Sequence, residues 1–147
     1  MRNTTTITAP ALLVLALVLG GCIKPGISTP TPPQIQTANT SNMIAQSVKA
    51  SADLLISARE NGKLSQESFM AADAVIRVMV DTGKKINAEL RSTTDPWTVQ
   101  KSKVLTIVVS SGLQAAILKL LPEPKAIMQL TIAMFNEISL GVGGPTL

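Results

Sequence analysis

The sequence predicts an all-α fold: a small four-helix bundle built of two antiparallel helical hairpins, standing behind a disordered Pro/Thr-rich tether. Three observations predict it. Apolar residues recur every three or four positions from Ile44 onward, the period of a half-buried helix. Proline is absent between Pro33 and Pro96 and again between Pro96 and Pro122, and a proline inside a helix costs about 3 kcal/mol. No Gly-rich turn lies between runs of alternating polarity, so no β-hairpin is signalled. The β-branched run Val104–Val109 would suit a strand in isolation, but its context on both sides has the helical period.

The first helix is expected from about Ser41 to Glu60, capped by Thr40 or Ser41, with Ile44, Val48, Ala52 and Leu55 on one face. Asn61-Gly62 ends it, the glycine taking a left-handed conformation. The second begins after Ser65, a good N-cap, with Glu67 in the first turn where the helix dipole favours an anion. Phe69, Ala72, Ile76, Met79, Gly83, Ile86 and Leu90 alternate spacings of three and four, a heptad seam. Asp73–Arg77, Asp81–Lys85 and Lys85–Glu89 stand at i, i+4 on the outer face and are spaced to pair. The third helix is expected from Asp95 as N-cap and Pro96 at its first position to about Leu121. The fourth runs from about Pro124 to Gly141, with Ile127, Leu130, Met134 and Ile138 as its apolar stripe. The helical domain is thus 41–141, and 142–147 is expected to be a flexible tail.

Composition excludes several kinds of chemistry. The 147 residues include no His, one Cys, no Tyr, one Trp and two Phe. Without His, the commonest general base, pH switch and metal ligand is missing. One Cys leaves no disulfide and no CxxC motif. So few aromatics leave little to stack on single-stranded nucleic acid, and the longest basic run is Lys84-Lys85. No P-loop, GxGxxG or EF-hand spacing is present. Ser110 with Lys119 is the nearest approach to a nucleophile with its base, and no motif supports it. Asp73, Asp81 and Glu89 are expected to face solvent beside cations. The expectation is therefore a protein that is not an enzyme, with no catalytic residue, no metal site, no cofactor and no nucleic-acid partner. Trp97 is expected to lid the bundle.

The amino-terminal segment reads as an address. Arg2 precedes the apolar run Ala11–Leu19, which is nine residues long. As a helix it would rise about 14 Å, roughly half a hydrocarbon core, which suits a signal peptide better than a permanent span. Leu19-Gly20-Gly21-Cys22 follows at once. An aliphatic residue, two small ones and a cysteine at this place resemble the lipobox of bacterial lipoproteins, with Leu19, Gly20 and Gly21 leading to the lipidated Cys22. The resemblance implies cleavage after residue 21, diacylation of the Cys22 sulfur and anchorage in membrane lipid. Two or more acyl chains hold a protein on a bilayer where one does not. Ile23 after the cysteine, by resemblance to Gram-negative sorting, implies the outer membrane facing the periplasm, or the cell surface. Loss of Arg2 leaves 12 basic and 9 acidic residues, a net charge of +3.

Residues 22–40 carry the anchor and a linker. Pro25, Pro30, Pro32 and Pro33 among Thr and Ser leave no helical or strand period, and a polyproline-like chain of 18 residues reaches roughly 50 Å. Residues 104–121 form the most apolar stretch after the leader, just long enough for a span. Its residues Val104, Ile107, Val108, Leu113, Ile117 and Leu120 are either bundle core or a face for insertion or partner binding. Gly83 and Gly112 are candidate points of close helix approach. The functional expectation is a lipid-anchored helical envelope protein that acts by binding or assembly, with an unknown protein partner or itself. It is similar in outline to small helical lipoproteins of phages and mobile elements. The alternative is a membrane-bridging protein, resembling single-chain spanins, in which 104–121 insert into a bilayer.

Overall fold

The computed structural model describes residues 32–91 and 95–147. The described residues form six helices and no strand: α1 Pro32–Glu60, α2 Gln66–Arg91, α3 Trp97–Ser110, α4 Leu113–Leu118, α5 Pro122–Ile127 and α6 Gln129–Gly141. The fold is all-α.

The first hairpin forms as its turn chemistry dictates. Gly62 lies at φ +69. Its N–H donates to the Arg59 carbonyl (3.1 Å) and that of Lys63 to the Ala58 carbonyl (2.8 Å). These two bonds are the Schellman closure of a helix C-terminus. Ser65 Oγ accepts the Ser68 N–H at 3.0 Å, which caps α2. The connecting Leu64 is buried and pins the turn to the core.

Helix α1 starts earlier than the sequence suggests. Residues 32–40, expected to be tether, are its first turns. Two prolines are tolerated there because the first turn of a helix has no partner for their missing donors. Thr37 and Thr40 are buried, so this extension belongs to the folded unit. Further along, Ile44, Val48 and Leu55 enter the core as expected, with Ala52 packed at its edge.

Helix α1 packs against α2 on one side and α6 on the other, while α2 also meets α3, α4 and α5. Helix α2 therefore buries more than its heptad seam: Ala72, Ile76, Met79, Gly83 and Ile86 are joined by Val75 and Thr82. Phe69 and Leu90, at the ends of the seam, are half-buried.

The second half departs most from expectation. The third helix is not continuous to Leu121. It breaks at Gly112, which takes φ +71, a conformation that costs an L-residue roughly 1–2 kcal/mol. Ser111 Oγ bridges the break, accepting the Leu113 N–H (3.1 Å) and donating to the Val108 carbonyl (2.7 Å). The fourth helix is likewise divided, at Met128 (φ −90, ψ 2). Asp95 is not the cap of α3. Pro96 occupies that place with no side-chain bond to the helix, and the Asp95 carboxylate accepts from Lys103 Nζ at 2.6 Å instead.

The apolar stripe of the last helix is rotated by about one position from the expected one. Leu130 is exposed, whereas Met128, Ile132, Phe135, Ile138 and Val142 are buried. The C-terminal segment is also not a free tail. Gly143 lies at φ +82, and the N–H groups of Gly143 and Gly144 donate to the carbonyls of Leu140 (3.0 Å) and Ser139 (2.7 Å). This is a second Schellman closure. Ser139 Oγ then donates to the Pro145 carbonyl (2.6 Å), and Gln114 Nε2 to that of Thr146 (2.7 Å).

Candidate functional site

Cys22 and the residues before it, Leu19, Gly20 and Gly21, lie outside the described residues. The six apolar residues singled out in 104–121 are placed together, but inward. Val104, Leu113 and Ile117 are fully buried, Val108 and Leu120 nearly so, and Ile107 is half-buried against the same cluster. As an exposed interaction or insertion face they are a mistaken assignment: this face is bundle core. The outward apolar residues of the segment are Val109, Leu118 and Leu121, and the bend at Gly112 lies between the first and the other two. The stretch Trp97–Leu118 has mean hydropathy 1.2 over an 18-residue window, of which 22% is buried in the bundle, so the core uses a minority of its residues.

Gly83 does mark a close approach: a Cβ there would lie 3.1 Å from Ile44 Cγ2. Gly112 does not, since a Cβ there would meet nothing within 4 Å. Its role is the left-handed turn. Trp97 is half-buried and packs on the core from the start of α3.

Three polar clusters hold the helices together, and none is announced by the sequence pattern. On the α1–α6 face, Ser47 Oγ and Ser51 Oγ lie 2.6 and 2.8 Å from Thr131 Oγ1, all three buried. Where the same two helices approach residue 137, Gln36 Nε2 and Thr40 Oγ1 both donate to Glu137 Oε1, at 3.0 and 3.1 Å. On the other face, Gln100 is fully buried and joins three helices. It accepts from Gln34 Nε2 of α1 (2.6 Å), and its own Nε2 reaches the Glu89 carbonyl of α2 at 3.5 Å. The signal available for these residues was their position: polar side chains falling on an otherwise inward helical face must find partners.

The carboxylates do not converge. Asp73 pairs with Arg77 at 2.9 Å across one helical turn, as its spacing predicts. Among the described residues Asp81 makes no ion pair with Lys85. Glu89 is not solvent-facing: its side chain is 19% exposed, and it turns to Lys103 of α3 (3.2 Å) rather than to Lys85. Lys103 thus sits between Asp95 and Glu89, and the two carboxylates, the hydrogen-bonded Asp95 first, hold its ammonium above the ordinary lysine value of 10.5. The Glu89 contact is ionic but poorly aligned as a hydrogen bond, so Glu89 Oε1 has no hydrogen-bond partner of good geometry. Ser110 Oγ turns back on the Ile107 carbonyl (3.4 Å), with no base beside it in α3. Among the described residues no three acidic or thiol groups lie close enough to share a metal ion.

A concavity of about 550 Å³ lies along the α1–α2 hairpin. Ile44, Ala45 and Val48 of α1 and Val80, Gly83 and Ala88 of α2 line it, with Lys84, Asn87 and Arg91 as its polar members. A smaller cleft of about 70 Å³ sits between α1 and α6 beside Glu137, space for no more than a few waters.

No family model matches this chain. Among curated proteins and solved structures, too, nothing matches.

Proposed function

We propose that this protein is a lipid-anchored, non-catalytic helical protein of the bacterial envelope that acts by binding or assembly. One observation carries the reading: the apolar run Ala11–Leu19 ends directly in Leu19-Gly20-Gly21-Cys22, ten residues before the start of α1 at Pro32. Acylation of Cys22 would leave about nine residues between anchor and helix. That is half the eighteen residues of a tether running to Thr40. The domain would then stand close to the lipid surface, on the periplasmic side of the outer membrane or at the cell surface.

What supports a binding role is the surface of the helical unit. Several of its serines and carboxylates cap helices, form ion pairs or hold helices together, and the concavity along α1 and α2 is a groove with an apolar floor. The reading of 104–121 as a bilayer-inserting segment has less behind it, because insertion would take Val104, Val108, Leu113 and Ile117 out of the core. The test is incorporation of labelled palmitate in the full chain expressed in a bacterium. The wild-type chain is expected to take up label and to fractionate with membranes, and Cys22→Ser to lose both. Label retained by Cys22→Ser, or a wild-type chain that keeps its leader and a free thiol, overturns the proposal.

A further inference from the structure

The α1–α2 groove has the chemistry of a site for a single acyl chain with an anionic head. Its floor is aliphatic: Ile44 and Val48 are buried in the core beneath it, and Val80 is half-buried in its wall. Gly83 contributes no side chain, and Ile44 of α1 packs onto it, since a Cβ there would lie 3.1 Å from Ile44 Cγ2. Exposed Ala45 and Ala88 are too short to cover the floor. From Val80 to Arg91 the wall runs about 16 Å along the helix axis, the scale of a fatty acyl tail. The volume lies inside the usual range for small-molecule sites, about 300–1,000 Å³.

The rim is charged with one sign. Lys84 and Arg91 are both exposed, neither forms an ion pair among the described residues, and no acidic residue lines the groove. Lys84, Asn87, Ala88 and Arg91 follow at i, i+3, i+4 and i+7, one side of the helix. Asn87 is fixed there by donating to the Ser41 carbonyl at 3.2 Å. Two long cationic side chains flank it, and a guanidinium donates two parallel N–H bonds to a carboxylate in a bidentate pair. We propose that the groove binds a long-chain fatty acid, the tail along Val80, Gly83, Ile44 and Val48 and the carboxylate against Lys84 and Arg91. An acidic peptide helix would meet the same charges but would need a wider apolar floor. A diacyl lipid would need room for two tails. The inference does not rest on acylation of Cys22.

The test uses the purified full chain, as wild type and as Cys22→Ser, incubated with palmitate carrying a diazirine in its tail, irradiated, digested and mapped by mass spectrometry. Adducts are expected within 44–48 and 80–91 in both chains, competed by unlabelled palmitate. An adduct within α1 or α2 is distinct in mass and position from a thioester at Cys22, so failure of lipidation and failure of this site are read separately. Lys84→Glu with Arg91→Glu should lower labelling at least about tenfold, the scale of lost charge-assisted contacts. Ala88→Trp should block it by filling the groove. All three positions are exposed, and an unchanged helical circular dichroism spectrum shows that the variants fold. Labelling spread evenly over exposed Leu118, Leu130 and Leu140, equal labelling by the corresponding neutral alcohol, or competition by phospholipid but not by palmitate overturns the proposal. So does a dimer whose contact surface includes Val80, since a second copy would then be the occupant.

Discussion

At single residues, the balance between hydrogen bonding and burial decides which substitutions this fold feels. Ser41 Oγ is buried without a hydrogen-bond partner, and such a group carries a desolvation penalty of roughly 1–3 kcal/mol. Ser41→Ala removes the penalty and favours the helix, so it is expected to raise stability by about 1 kcal/mol in a denaturant titration. Thr131 is the opposite case. Its hydroxyl is shared by Ser47 and Ser51, and Thr131→Val leaves both serines without it at nearly constant volume. The expected loss is about 1–3 kcal/mol, read as a lower denaturation midpoint with unchanged slope. Gly144 is constrained by space rather than by a bond. A Cβ there would come within 2.6 Å of Ser139 Oγ and 3.1 Å of both the Ser139 carbonyl and Leu105 Cδ1. Backbone cannot yield as a side chain can, so the close of α6 admits little but glycine.

Elements show where the sequence was readable and where it was not. The first hairpin was legible because each signal was local: Gly62 for the left-handed turn, Ser65 for the cap, and the three–four spacing from Phe69 to Leu90 for the buried face. The end of α6 carried a comparable local signal in Gly143-Gly144-Pro145, yet glycines beside a terminus read equally well as a free tail. Only the packing of Val142 and Leu147 decides between the two. The α1 extension was obscured because proline marks a tether and a helix start with the same letters. The distinction lies in long-range contacts such as Gln34–Gln100, 66 positions apart. The division of the third helix at Ser110-Ser111-Gly112 was hidden by apolar residues on both sides, although the buried positions slip there, stepping by four up to Val108 and by five to Leu113. Of the candidate site, the sequence offered Cys22, which the described residues do not reach. It offered no groove, because a groove arises from which side chains are short where two helices meet. Helix α3 also gives an element-scale prediction. Lys103 links α3 to Glu89 of α2 and to Asp95. A lysine whose folded pKa is raised contributes in full below its unfolded value and loses the contribution as pH rises through the folded one. Wild type and Lys103→Met should therefore differ by a constant amount from pH 7 to 9. The two should converge above the ordinary lysine value of 10.5, as chemical denaturation at stepped pH will show.

For the whole molecule, the question is whether the apolar residues spread through 104–121 are spoken for by the protein or left for a bilayer. Among the described residues the core that unites the helices has nineteen buried apolar members, of which Val104, Val108, Leu113, Ile117 and Leu120 are five. Around them Phe135 is the largest fully buried side chain, and Phe135→Ala should cost about 3–5 kcal/mol. Insertion of this segment would strip α3 and α4 from α2, a loss opposed further by Lys101, Lys103 and the turn at Gly112. The exposed apolar residues are distributed over α1, α2, α3, α4 and α6, and scattered surface residues of this kind are ordinary for water-exposed proteins. A fragment spanning 32–147 is therefore expected to remain monodisperse without detergent in light scattering, and not to float with vesicles in a density gradient. One starting at residue 41 should have a lower melting temperature, since it lacks buried Thr37 and the bonds of Gln34 to Gln100 on α3 and of Gln36 and Thr40 to Glu137 on α6. Vesicle binding by the 32–147 fragment that Phe135→Ala enhances would mean the bundle opens to insert, and would return 104–121 to the membrane.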